Sequence, residues 1–255
     1  MDGLLVYAKW ARTEKAALNN QIGRQSAYYN KRSMDKGKNG AVRAFVFDLD
    51  GTLIDSKMDL VHSVNAMLRE TKRPEQAVEL VASYIGHGAP HLIASVLGRA
   101  SSEVQRRESL EIFLGHYKKQ MLNLTLPYAG VFEGLRALNG SAMAVLTNKP
   151  IKMTKGILEG LQLAQFFRAV YGGDSFKTKK PDPSGALDIL KELGVPPAQA
   201  AMVGDSDVDI QTARNAGMLA VGVTYGFGQH NATLCPADLY VDSLMELEPL
   251  ALKHV

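Results

Sequence analysis

An apolar run that ends in two carboxylates constrains this chain more than any other feature: Phe45-Val46-Phe47-Asp48-Leu49-Asp50-Gly51-Thr52-Leu53. A short apolar stretch bounded by a turn signal suits a strand covered on both faces, as in an α/β sheet. Side chains alternate along a strand, so Asp48 and Asp50 leave the same side at its carboxyl end, where open α/β sheets bind ligands. Two anions so close repel each other and need a divalent cation or a lysine beside them if they are to be buried. An ordinary turn after a strand is the plainer reading of Asp-x-Asp-Gly. Residues further along the chain decide between the two.

Room for such a sheet is ample. The 255 residues, 46% of them hydrophobic, suffice for one sizeable α/β domain and a smaller one. Cys235 is the single cysteine, which excludes an internal disulfide, fits the reducing cytoplasm and gives little support to a thiol nucleophile. No stretch approaches the ~18 apolar residues of a membrane span, so no membrane partner is expected. The net charge of +3 is uneven: residues 1–43 hold nine Lys/Arg against Asp2, Glu14 and Asp35, which gives +6 there and −3 over the remainder. A basic segment of this kind can touch nucleic acid or acidic lipid. Asn19 to Lys38 is polar and rich in Asn, Lys, Ser and Gly, however, so residues 1–41 read as a mobile, solvated leader with no nucleic-acid partner. Met34, shortly before the first strand, is a candidate start. Monomer and homodimer are both compatible with the sequence.

After Asp50 the strand-like runs recur at 142–147, 169–173, 200–205 and 219–224. Lys152 to Leu163 and Pro183 to Leu193 show helical spacing of apolar residues, and Asp207 to Ala216 can form a third helix. Alternating strands and helices predict a parallel, doubly wound sheet. Residues 57–127 break the rhythm with consecutive helical stripes: Met58, Val61, Val64, Met67 and Leu68; then Ala77, Val78, Val81 and Ile85; then Leu110, Phe113, Leu114, Tyr117 and Met121. The expected organisation is an α/β core of 42–56 and 128–255, with a helical cap of 57–127 inserted after the first strand and able to cover the sheet's carboxyl edge.

Polar groups of different kinds fall at that edge, and together they fit phosphoryl transfer. Asp48 can attack phosphorus to give an aspartyl phosphate, and Asp50 can protonate the leaving oxygen and later deprotonate water. Thr147 can offer its hydroxyl and nearby N–H groups to phosphate oxygens. Lys180 supplies fixed positive charge, which matters because positioning and charge stabilisation dominate this reaction. Lys179 is its rival; Pro181 restricts the residue before it and favours Lys180. Asp205 and Asp209, in Gly204-Asp205-Ser206-Asp207-Val208-Asp209, complete an oxygen-rich site suited to Mg²⁺.

In this order the motifs resemble the haloacid dehalogenase-like phosphohydrolases, over residues 43–247. Leu53-Ile54-Asp55-Ser56, Thr147-Asn148-Lys149-Pro150, Gly172-Gly173-Asp174-Ser175, Val223-Thr224-Tyr225-Gly226 and Ala237 to Leu244 are similar to the phosphoglycolate phosphatase branch. The resemblance implies a Rossmann-like core with an inserted cap and a small phosphorylated metabolite as substrate. It also implies Mg²⁺ held by the Asp48 side chain, the Asp50 carbonyl and Asp205, with Ser206 and Asp209 behind them. Gly51, Thr52, Asn148 and Lys149 are expected at the phosphate, and the cap loop Gly86-His87-Gly88 at the rest of the substrate. His87 departs from the family's usual Asn and can bring a proton or partial positive charge to a substrate carboxylate.

Asp50 argues against a dehalogenase, which lacks this acid/base. A phosphonate-cleaving relative needs a cap lysine in an apolar pocket, whereas Lys118 belongs to a charged pair. Gly204 stands where a phosphosugar mutase usually carries an acid. Pyrophosphatase, nucleotidase and sugar phosphatase remain alternatives, as does a catalytically silent binding protein.

Overall fold

The computed structural model describes residues 41–228 and 234–252, so the expectations for residues 1–40 lie outside the described residues. Strand β1, Ala44–Phe47, is buried along its whole length. It lies between β4, Ala142–Leu146, and β6, Ala200–Gly204, with Phe47 opposite Val145 on one side and Val203 on the other. β5 (Ala169–Tyr171), β7 (Leu219–Val223) and β8 (Leu239–Val241) complete a six-stranded parallel sheet in the order β5-β4-β1-β6-β7-β8. From β1 the chain runs outward through β4 and β5, then returns to β6 on the opposite flank. The strand order therefore reverses at β1, and its carboxyl end faces the crevice where such sheets take ligands.

Alternation within β1 divides the core. Phe45 and Phe47 join the apolar cluster that includes Val131 and Leu135 of α5 (Val131–Ala137) and Ile157 and Leu158 of α6 (Ile151–Gly160). Ala44 and Val46 join Ile189 and Leu190 of α7 (Ser184–Leu193) and Ile210 and Ala213 of α8 (Asp207–Ala216) on the other face. Helices on both faces of a parallel sheet make the doubly wound α/β fold that the sequence predicts.

The helical insert leaves and re-enters through a two-residue antiparallel ribbon, β2 (Ile54–Asp55) against β3 (Leu126–Pro127). It contains α1 (Lys57–Glu70), α2 (Val78–Ala82), α3 (Ala89–Leu97) and α4 (Glu103–Gln120). Asp59, buried in the first turn of α1, accepts hydrogen bonds from Leu124 N–H, Thr125 N–H and Thr125 Oγ1 at 2.7–3.1 Å, which clasps the two connecting strands together. Ser102 caps α4 through a reciprocal pair with Gln105, a strong start for the insert's longest helix.

Four elements differ from the sequence reading. Helix α3 was not expected, because the cap segment around Gly86-His87-Gly88 reads as a loop; the helix starts directly after Gly88, with Pro90 in its first turn, where its missing N–H costs nothing. Helix α2 stops at Ala82, short of Ile85, ahead of Gly86 with φ of +113°. α5 and β8 are too short, at seven and three residues, to show a clear period. Among the described residues no helix is long and apolar enough to cross a membrane.

Candidate active site

The end of β1 delivers Asp48, whose N–H continues the ladder to Val203 C=O at 2.9 Å while its carboxylate is left nearly inaccessible. Gly51 turns the chain immediately beyond, with φ of +83°, and its N–H donates to Ile54 C=O at 2.9 Å. A Cβ on Gly51 would stand 1.9 Å from Asp205 Oδ2. The glycine is needed both for its left-handed backbone and for the approach of that carboxylate.

Lys180 lies 2.8 Å from Asp48 Oδ1 and 2.6 Å from Asp209 Oδ1 and is itself buried. Burial works against its charge, and the two carboxylates outweigh that penalty, so its pKa rises. The other oxygen of Asp209 accepts from Ser206 N–H (3.1 Å) and Ser206 Oγ (2.7 Å) at the start of α8, which fixes the carboxylate that fixes the lysine. Lys179, the rival in the sequence, is exposed. Asn148 holds the lysine loop from a third side: its Oδ1 accepts from Lys180 N–H (3.0 Å), and its Nδ2 donates to Lys180 C=O (3.1 Å) and to Gly86 C=O (3.0 Å) in the helical insert.

Asp205 directly follows β6, the strand beside β1, and accepts from Gly228 N–H at 2.6 Å. Asp48, Asp205 and Asp209 bring carboxylate oxygens within 4.8 Å of one another, all buried. Burial pushes Asp48 up to about 6, partly opposed by Lys180, and it pushes Asp205 well above the usual carboxylate range, with Asp209 and Asp48 adding to the effect. Three buried carboxylates thus share one ammonium. A divalent cation bound by oxygen ligands would offset this excess of negative charge, and the donor set is of the kind that Mg²⁺ or Ca²⁺ takes.

Asp50 occupies a separate charge pair. Lys149 Nζ donates to its Oδ1 at 2.9 Å and its Oδ2 at 2.7 Å, and Ser56 Oγ donates to Oδ1 as well. Lys149 is buried, and its pKa still rises because Asp50 outweighs the burial. Its Nζ also stands 4.6 Å from the ring centre of Tyr117, which reaches in from α4.

These groups open onto a cleft between sheet edge and helical insert, lined by Asp48, Asp50, Thr147, Asn148, Lys149, Gly86, Gly88 and Tyr117 together with apolar side chains. Thr147 stands at the end of β4 with its Oγ1 accepting from Lys149 N–H at 3.3 Å. Lys180, Asp205 and Asp209 lie behind this lining, and Gly51, Thr52, His87 and Ser206, also expected near the substrate or metal, are not among the lining residues. Thr52 is fully buried, and its carbonyl accepts from Tyr225 OH at 2.9 Å. His87 is a surface residue whose ring lies 4.7 Å from that of His91; partial burial and His91 lower its pKa, which disfavours the positive charge considered from sequence. Tyr117, Ser56 and Gly228 were missed as site residues. Tyr117 looked like one more member of an apolar helical stripe, and nothing in its sequence neighbourhood distinguishes it.

Known proteins resemble this chain over most of its length. A family model described as haloacid dehalogenase-like hydrolase matches residues 45–223. The phosphoglycolate phosphatase of Pseudomonas savastanoi pv. phaseolicola is 39% identical over 213 residues, covering 80% of this chain and 78% of that protein. Phosphoglycolate phosphatase 1 of Pseudomonas aeruginosa is 37% identical over 218 residues, covering 82% and 79%. The crystal structure of a predicted phosphoglycolate phosphatase from Haemophilus somnus 129pt is similar with a TM-score of 0.74 at 30% identity, over 80% of this chain and 96% of its own. With the family model spanning β1 to β7, this chain belongs to the haloacid dehalogenase-like hydrolases.

Proposed function

We propose that this chain is a Mg²⁺-dependent phosphatase that hydrolyses 2-phosphoglycolate through an aspartyl phosphate on Asp48. The observation that carries the reading is the buried set of Asp48, Lys180, Asp205 and Asp209, three anions to one cation, of which Asp48 lines the cleft together with Asp50, Thr147 and Lys149. The names of the relatives support the substrate. In the first step an Asp48 oxygen bonds to phosphorus as the ester P–O bond breaks, and Asp50 gives its proton to the departing glycolate oxygen. In the second step Asp50 takes a proton from water, the water oxygen bonds to phosphorus, and phosphate leaves as the Asp48 carboxylate is restored. Lys149, at 2.7 Å, steadies the carboxylate form of Asp50 that this second step needs. Thr147 and Lys180 hold the phosphoryl oxygens and balance their charge.

Asp48, the Asp50 carbonyl and Asp205 are the proposed ligands of Mg²⁺, which supplies charge stabilisation to the phosphoryl group. Asp209, with both oxygens engaged by Lys180 and Ser206, stands behind them. Residues 57–127 act as the cap over a core of 42–56 and 128–255. Half-buried Cys235, the single cysteine, supports a cytoplasmic setting.

Phosphate release from 2-phosphoglycolate, pyrophosphate, sugar phosphates and nucleotides tests the reading directly. A preference for phosphoglycolate that needs Mg²⁺ is expected; equal rates across the panel would leave a general phosphatase, and a preference for pyrophosphate or nucleotides would replace the substrate. A binding measurement tests the ion separately. At Mg²⁺ near 100-fold its Kd, the folded state gains about 2.7 kcal/mol, which should raise the melting temperature by roughly 5–10 °C for a chain of this size. Asp205→Asn should lose that rise. An undiminished rise in the variant would place the ion elsewhere.

A further inference from the structure

Phosphoglycolate carries a second anion, and the cleft offers it few partners. Beyond the two aspartates, its walls are Leu60, Ile85, Leu92, Phe113, Leu114 and Met153 among others. Lys180, paired with Asp48 and Asp209, is committed to the phosphoryl group and is not among the lining residues. His87 faces the surface and pairs its ring with His91. Lys149 is the one cation among the lining residues, and Tyr117 lines the same space.

We propose that Tyr117 Oη and Lys149 Nζ together receive the carboxylate of the substrate, so that a residue of the helical insert and a residue of the core jointly select a small phosphorylated acid. This inference rests on the phosphoglycolate reading above and deepens it. Its first support is the Tyr117 hydroxyl, which is buried and has no hydrogen-bond partner among the described residues. A buried hydroxyl left unpaired is costly. In a cleft lining, such a group marks where a ligand atom completes the bonding. Burial also pushes the phenol up to about 12, so it stays a neutral donor under physiological conditions.

The second support is donor counting. An ammonium has three N–H groups; Asp50 takes two of those on Lys149, at 2.9 and 2.7 Å, and the third is on the side of Tyr117, where a ligand oxygen can be shared with the phenol. Nζ stands 4.6 Å from the Tyr117 ring centre, and both residues line the same cleft. In phosphoglycolate only one oxygen and one carbon separate phosphorus from the carboxyl carbon. An acid bound with its phosphoryl group at Asp48 therefore presents its carboxylate close to Asp50, where Lys149 already screens one negative charge and can screen another.

Tyr117→Phe deletes only the hydroxyl and keeps the ring over Lys149. The readout is the ratio of kcat/KM for 2-phosphoglycolate to that for 2-hydroxyethyl phosphate, which has no carboxylate. That ratio should fall about tenfold, mainly through KM for the acid, as expected for one lost hydrogen bond to a charged group. The melting temperature should not fall, since the hydroxyl has no partner to lose. Lys149→Met slows both substrates by stripping Asp50 of its partner, and should lower the ratio about a hundredfold. A wild-type ratio near one would overturn the phosphoglycolate reading and this subsite with it. A wild-type preference that survives in both variants, or a Tyr117→Phe variant that slows both substrates equally or melts lower, would overturn the subsite alone.

Discussion

Asp48→Asn should lower phosphate release by at least ~10⁴-fold, on the scale of nucleophile deletions in other hydrolases, while the protein becomes no less stable. The amide is almost the same size and shape as the carboxylate, and its oxygen can remain beside Lys180 Nζ, 2.8 Å away in the native site. It has no charge to drive attack on phosphorus, however, and no aspartyl phosphate forms. Stability should hold or rise in the metal-free protein, because burial already works against the charge of Asp48 and two neighbouring carboxylates repel it. Single-turnover phosphate release and thermal melting together check both halves. A variant that keeps activity within tenfold of wild type would remove Asp48 from the mechanism, and a large fall in melting temperature would make the lost activity a folding effect.

Lys180→Ala should fail in both respects. Its ammonium is the only cation in contact with Asp48 and Asp209 among the described ion pairs, and removing it leaves buried negative charge without a partner. Breaking a buried pair in this way costs about 3–5 kcal/mol, which corresponds to a fall of roughly 6–20 °C in melting temperature for a chain of this size. Loss of charge stabilisation at the phosphoryl group should lower kcat by a further ~10²–10³-fold in whatever protein remains folded. Mg²⁺ should recover part of the stability and little of the rate, since an ion at Asp48 and Asp205 compensates charge without replacing the lysine at the phosphoryl oxygens. Lys179→Ala is the control: the side chain is exposed, and its loss should leave both melting temperature and rate close to wild type. A Lys180→Ala variant with near-normal turnover would transfer the role to Lys179.

Much of this architecture is legible in one dimension because its causes are local. The run from Phe45 to Phe47 is buried on both faces and therefore apolar at every position, which marks a central strand. Its period-two geometry sends Asp48 and Asp50 to one edge; Thr147 and Asp205 each follow a strand of the same parallel sheet and Lys180 lies in the loop after β5, so chain order brings them toward Asp48. The short elements were harder. A three-residue β8 and a two-residue β2 carry too few side chains for alternation to register, and α3 begins at the glycines and proline that ordinarily announce a loop.

Side-chain partnerships divide the same way. Sequence by itself determined the strand-end carboxylates, the lysine before Pro181 and the helical insert after β1, because backbone periodicity and chain order dictate them. Only the tertiary structure decided that Lys180 rather than Lys179 is buried against Asp48, that Lys149 pairs with Asp50, that Asn148 ties Gly86 to Lys180, and that His87 is exposed and outside the cleft lining. Tyr117 is the clearest case: 32 residues before Lys149 in the chain, it stands with its ring over Nζ because α4 folds back across the sheet edge. Contacts of that kind depend on how an insert and a core meet, and the energies that select them are burial and charge pairing between distant segments, which leave no period in the sequence.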